Sequence, residues 1–186
     1  MLRPLEQAAA MVHHMRPAGD MVRCLTMRPA LIVLALFATA ASATPPPPEF
    51  DAIRFFEGGT RGDGLFKVIL RGSHRVTVQG RGRIEGDTLI LDQIVTREGT
   101  APKSRQWRIR ATAPGRYTGT LTDAKGPITG ETTGDRLHLR YTSTGGFAVE
   151  QWLTLSSDGR SAQNRLTAKR FGVTVASLDE TIVKTD

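Results

Sequence analysis

The sequence predicts an all-β protein: an antiparallel meander of about ten strands that closes into a barrel behind a short N-terminal helix. Three observations carry that expectation. Turn-forming residues recur every ten to fourteen positions from Thr60 onward, and the segments between them alternate apolar and polar residues with a period of two. No stretch between those turns has the length or the 3.6-residue periodicity of a crossover helix, which argues against any α/β arrangement.

The elements follow in chain order. Residues 1–26 contain Met1, Met11, Met15 and Met21 without a pattern that defines a fold, and read as a gene-call extension or a charged n-region. Residues 27–43 read as a signal peptide: Arg28, an apolar run from Leu31 to Ala38, then the small-residue cleavage site Ala41-Ser42-Ala43. A run this short falls well under the ~20 residues of a membrane span, so the processed chain is not expected to span a membrane. Cys24, the only cysteine, precedes the apolar run, which leaves no lipid-anchoring cysteine after the cleavage site. No Arg-Arg pair precedes the run either, and the general secretory route is expected, with a periplasmic or secreted product.

Cleavage before Thr44 leaves 143 of the 186 residues, enough for one domain with its own core. All five methionines and the cysteine lie at or before Met27, so the mature chain contains no sulfur. That excludes disulfides, thiolate metal sites, iron–sulfur clusters and cysteine nucleophiles. The leader holds four of the 25 Lys and Arg and two of the 18 Asp and Glu, which leaves the mature chain at about +5. A basic exported protein fits anionic headgroups, polysaccharide or another anionic envelope component. Nucleic acid is not an expected partner, and Arg81-Gly82-Arg83 reads as arginines on the wet face of a strand.

Residues 44–48 form a Pro-rich spacer, and residues 49–186 form the barrel domain. Phe50, Ile53 and Phe56 recur at helical spacing, which predicts one short helix over Glu49 to Phe56 lying across an end of the sheet. Nine turns follow, at Gly72-Ser73, Gly86-Asp87, Glu98 to Pro102, Pro114-Gly115, Ala124 to Gly126, Gly134-Asp135, Gly145-Gly146, Asp158-Gly159 and Phe171-Gly172. They imply about ten strands and a lipocalin-like barrel.

Parity assigns the faces. Phe66-Val68-Leu70, His74-Val76-Val78, Trp107-Ile109, Tyr117-Gly119-Leu121, Leu137-Leu139-Tyr141 and Phe147 through Leu155 at alternate positions point inward. The opposite parity carries Arg75, Arg81, Arg83, Arg108, Arg110 and Arg140, a solvated exterior unlike the apolar band of an outer-membrane barrel. Thr88 to Thr96 is ambiguous, because Leu89-Leu91 and Ile90-Ile94 fall on opposite parities; a bulge or a strand covered on both sides would account for it. Gly62, Gly64, Gly80, Gly82, Gly119 and Gly130 share the inward parity. Either the strands coil sharply there or the barrel is hollow.

Specific chemistry is sparse. His74 and His138 have no neighbour at metal-ligand spacing, so no metal or other cofactor is expected. Gly59 to Gly64 precedes a strand instead of linking strand to helix and fails as a nucleotide loop. Asp87, Asp123, Asp135 and Asp158 belong to turns, no Gly-x-Ser-x-Gly elbow occurs, and the chain is not expected to be an enzyme. Gln106-Trp107 and Gln151-Trp152 echo each other with different parity. Trp152, opposite Leu153 and Leu155, is expected under the helix or a loop.

The run Phe55-Phe56-Glu57-Gly58-Gly59-Thr60-Arg61-Gly62-Asp63-Gly64, followed by Gln106 to Ile109, Gly115 to Thr120, Gly126 to Gly130, and Asn164 through Lys169 to Val173, resembles the bacterial exported proteins grouped as domain of unknown function 3833. The resemblance spans nearly all of the mature chain. It implies a compact β-barrel-like domain in a Gram-negative cell envelope, often lipid-anchored, with no catalytic residues to carry over. The lipocalin comparison is structural, since the Gly-x-Trp entry motif of that superfamily is replaced by Gly59-Thr60-Arg61.

These readings combine into a binding or carrier module for an apolar or amphipathic small molecule or lipid. Trp107, Tyr117 and Tyr141 are the expected lumen aromatics, with Arg105 and Gln151 as inward polar groups. The alternative is a filled-core structural or interaction module of the envelope.

Overall fold

A computed structural model describes residues 48–186. The readings placed on residues 1–47, the signal peptide among them, lie outside the described residues.

The described residues fold into one helix and ten strands: α1 (Ala52–Phe56), β1 (Gly58–Val68), β2 (Gly72–Glu85), β3 (Thr88–Arg97), β4 (Lys103–Ala113), β5 (Arg116–Leu121), β6 (Ile128–Thr133), β7 (Arg136–Thr142), β8 (Ala148–Leu155), β9 (Ser161–Arg170) and β10 (Val173–Lys184). Every strand pairs antiparallel with its sequence neighbour, and β1 pairs with β10 from Thr60↔Lys184 to Val68↔Ala176. The barrel is therefore closed and has no free sheet edge. It is the lipocalin-like meander that the turn spacing predicts.

Helix α1 plugs one end. It is shorter than the periodicity suggests, because Asp51 turns extended and its carboxylate accepts hydrogen bonds from Ile53 N (2.9 Å) and Arg54 N (3.2 Å), capping the helix two residues later than Glu49. Lys184 closes the other end of the helix by donating from Nζ to the carbonyls of Phe55 (3.0 Å) and Glu57 (2.7 Å). Phe50 N donates to Gly134 O (2.8 Å), and Phe50, Phe55 and Phe56 bury their rings against Leu89, Ile109, Leu137 and Leu153. The strand beneath makes room. A Cβ on Gly82 would meet the Phe56 carbonyl oxygen at contact distances no real side chain shows.

Alternation survives with two local corrections. Leu70 does not continue the inward row of β1: the chain turns at Ile69–Arg71, before the Gly72-Ser73 pair, and Leu70 stands fully in solvent with φ 64°. In β3 the inward row is Leu89, Leu91, Gln93 and Val95, with regular register on both sides and no bulge. Ile90 is nonetheless fully buried, on the outer side of the strand in register between Arg83 and Arg108, whereas Ile94 is exposed. The outer wall is polar, with Arg81, Arg83, Arg108 and Arg140 exposed. Among the described residues, no helix is long and apolar enough to cross a membrane.

Trp152 is also placed differently from the sequence expectation. It lies on the outer wall, 39% exposed, stacked at 3.7 Å and 8° on His138 of the neighbouring strand, with the Arg136 guanidinium 4.9 Å from its ring centroid. Cross-strand pairing, His138↔Trp152, covers the ring that the helix does not reach.

Candidate functional site

The lumen has three zones along the barrel axis. At the plugged end, aliphatic and aromatic side chains pack around α1. At the open end, Val76, Val78 and Leu178 are buried among inward-facing Phe66, Val95 and Leu166, which stay half-buried where, among the described residues, no helix covers the mouth. Between them lies a polar belt.

The belt is built by inward positions of five strands. Gln93 comes from β3, Arg105 and Trp107 from β4, Gln151 from β8, Asn164 from β9 and Glu180 from β10. Gln93 Oε1 accepts from Arg105 Nε (2.7 Å) and from Trp107 Nε1 (2.8 Å), so one amide oxygen fixes both neighbours. The Arg105 guanidinium lies 5.7 Å from the Trp107 ring centroid, and Tyr141 meets the same ring edge-on at 5.7 Å and 88°. Across the lumen, Asn164 Nδ2 donates to Glu180 Oε2 at 2.8 Å. These groups surround a cavity of about 30 Å³, room for roughly one or two water molecules.

Two buried acceptors in this belt, Gln151 Oε1 and Asn164 Oδ1, have no hydrogen-bond partner. Left without a donor, each would cost roughly 1–3 kcal/mol, so the cavity favours a hydrogen-bond donor, whether water or the end of a ligand. Glu180 adds a third acceptor. Burial, at 6% exposure, pushes its carboxyl above the usual carboxylate range, partly opposed by the Asn164 hydrogen bond and the positive field of Arg105.

The raised Glu180 carboxyl has a definite sign in stability. The folded state holds the proton to higher pH than the unfolded chain, so no penalty exists below the unfolded carboxylate pKa. Stability is then lost progressively as pH rises from there through the folded value. Glu180→Gln should match the parent in acid and exceed it near neutrality by roughly 1–3 kcal/mol. Urea melts at the two pH values check this; a less stable variant near neutrality would mean that the carboxylate is paired and not merely desolvated.

Four of the five expected site residues come together: Trp107, Arg105 and Gln151 line the cavity, and Tyr141 packs on Trp107. Tyr117 stands apart at the plugged end, where its hydroxyl accepts from Ala52 N at 3.3 Å and holds the helix. Gln93, Asn164 and Glu180 were missed. Their signal was present in the alternations Leu91-Gln93-Val95, Ala162-Asn164-Leu166 and Leu178-Glu180-Ile182, where a polar residue takes an apolar residue's turn. Among the described residues, no cluster of three His, Cys, Asp or Glu is arranged to hold a metal ion.

The inward glycines bear on how empty the lumen is. A Cβ at Gly62 would collide with the Glu180 side chain, at Gly80 with Thr60 Oγ1, and at Gly119 with the Arg108 carbonyl. The glycines mark close approach of neighbouring groups. They do not line a void.

Fold and site together define a closed, ten-stranded lipocalin-like barrel with a polar belt across a narrow lumen. Residues 33–184 match the family described as Protein of unknown function (DUF3833), and the chain belongs to that family. No curated protein matches it. Among solved structures, an S-type phycobiliprotein lyase from Guillardia theta is similar at 7% identity with a TM-score of 0.56, over 72% of this chain and 90% of that one. A structure described as EF1p2_mFAP2b bound to DFHBI aligns at 12% identity and a TM-score of 0.40, over 72% of this chain and 97% of the other.

Proposed function

We propose that the protein is an exported, periplasmic binding module that receives the polar end of an amphipathic small molecule through the open mouth of its barrel. The observation that carries this reading is the pair of orphaned acceptors, Gln151 Oε1 and Asn164 Oδ1, beside the Glu180 carboxyl. All three would accept from a hydroxyl or ammonium group. The half-buried Phe66, Val95 and Leu166 above them are the apolar wall such a molecule needs. The cavity of about 30 Å³ admits only the terminal group, so the body of the ligand would lie in the mouth. A barrel shared with a phycobiliprotein lyase is compatible with this role through its fold alone. The filled plugged end and the occupied space over the glycines favour a second reading, a filled-core interaction module.

Protein recovered from an exporting cell tests the proposal in both parts. N-terminal sequencing should begin at Thr44, as the Ala41-Ser42-Ala43 pattern requires. The same preparation, titrated with a fluorophore-tagged fatty alcohol, should bind it saturably, and Gln151→Leu should weaken binding roughly tenfold, the scale of one hydrogen bond to a buried group. A start upstream of Leu31 would defeat export with cleavage. Absence of saturable binding would leave the interaction module standing.

A further inference from the structure

We propose that the open end of the barrel docks on an anionic lipid bilayer, with the apolar tips of two adjacent hairpins entering the membrane interface. This goes beyond the lumen reading and stands apart from it.

The first observation is where the exposed apolar side chains gather. Ile69 and Leu70 lie in the turn between β1 and β2, Phe171 lies in the turn between β9 and β10, and Val173 is the first residue of β10. Strand β1 is hydrogen-bonded to β10, Val68 faces Ala176 and Ile69 N donates to Val175 O at 3.0 Å, so the two tips are side by side. Leu70 is 101% and Phe171 95% exposed. Scattered exposed leucines need no explanation, but four large apolar residues on one pair of adjoining tips form an exposed apolar patch.

The second observation is the backbone. Among the described residues, Leu70 (φ 64°) and Phe171 (φ 49°) are the non-glycine residues with positive φ, a region where glycine, asparagine or aspartate fits and a bulky side chain is strained. The turn geometry asks for a small polar residue and so does the solvent. Neither the turn nor the core explains leucine and phenylalanine there, and the same exception occurs in two separate hairpins. Something that approaches from outside the barrel explains both.

Charge identifies the occupant. Counting each turn with its flanking strand residues, the open end carries Arg71, Arg97, Lys103, Lys125 and Arg170 against Glu98 and Asp123. The turns at the plugged end carry Glu85, Asp87, Asp135 and Asp158 against Arg116, Arg136 and Arg160. The molecule is thus polarised along its axis, basic where the apolar tips stand and acidic where they are absent. Arg170 reaches over both Phe147 (5.4 Å) and Phe171 (5.5 Å), which sets a cation at the root of an apolar tip, the pairing that suits a headgroup layer above acyl chains. A protein groove would ask for shape that two bare tips do not offer.

A site-specific reporter on the full chain tests this, because a label at one end of the barrel or the other reports which end meets the bilayer. With Cys24→Ser as background, an environment-sensitive fluorophore is attached at Phe171→Cys or, at the opposite end, at Asp87→Cys. Mixed phosphatidylcholine and phosphatidylglycerol vesicles should blue-shift the label at 171 and leave the label at 87 unchanged, whereas pure phosphatidylcholine should act weakly on either. Adding Arg71→Gln to the 171-labelled chain should raise the lipid concentration needed for half of the shift roughly fivefold, one basic residue's share near an anionic surface. No shift at 171 on the mixed vesicles, or equal shifts at both ends, overturns the proposal, and the tips would then be assigned to a protein partner. The fatty-alcohol titration reads the lumen and this experiment reads the tips, so either reading can fail alone.

Discussion

Replacing Gly119 by leucine is expected to unfold the barrel, while Thr120→Leu, one residue on and facing solvent, should leave it folded. Gly119 sits in β5 between Ile109 of β4 and Ile128 of β6, pointing inward. A Cβ built there would overlap the Arg108 carbonyl oxygen and come within 2.9 Å of its carbon and 3.1 Å of Ile109 Cα. Those are backbone atoms of a paired strand, so no rotamer change relieves the contact, and β4 would have to move away from its ladder. The cost should exceed the ~3 kcal/mol typical of overpacking with side-chain relief alone. The φ of Gly119 is not positive, which makes the constraint one of space and not of backbone conformation. Far-UV circular dichroism and urea melts of both variants check the expectation. A Gly119→Leu protein as stable as its parent would mean that the lumen beside β5 is open, and the carrier reading would gain the volume it lacks.

The second large effect is expected one strand away. Trp107 is 4% exposed, donates its indole N–H to Gln93, lies beneath Arg105 and takes the edge of Tyr141. Trp107→Ala removes a large ring from a packed position and takes one of two donors from a buried amide oxygen, so a loss of ~3–5 kcal/mol is expected. Arg108, on the next residue, points to solvent from the outer wall. Arg108→Ala should stay within about ±0.5 kcal/mol. Urea melts compare the two directly. Equal losses would show that the register of β4 is wrong by one residue, since a slip of one exchanges the two faces of a strand.

Exposed ion pairs such as Arg61–Asp63, Arg140–Glu131 and Arg165–Asp179 decorate the wall without deciding these outcomes. Their side chains are 47–77% exposed, and such pairs contribute ~0–1 kcal/mol each. The core and the close glycine contacts dominate.

The sequence by itself determined the all-β meander, the number of strands and the side of each strand that Trp107, Leu121, Leu139 and Leu153 occupy. These follow from quantities local to the chain: Gly and Pro punctuate turns through their own φ, and a period of two reports the side on which a side chain leaves its strand. Four of the five residues proposed from the sequence, Trp107, Tyr141, Arg105 and Gln151, meet at the belt for that reason, whereas Gln93, Asn164 and Glu180 were not proposed. What period two does not contain is the distance to whatever lies opposite. Whether Gly119 faces a void or a carbonyl depends on how tightly β4 and β5 coil, and the coil depends on how ten strands share one closure through β1 and β10. The same holds for Tyr117, inward as expected but at the height of the helix and so engaged with Ala52 instead of the belt. Leu70 left its row because a left-handed turn residue ends the alternation that parity assumes. Gln93, Asn164 and Glu180, distant in sequence and each a single polar exception on an apolar row, became one belt only when closure brought β3, β9 and β10 to the same height around the axis.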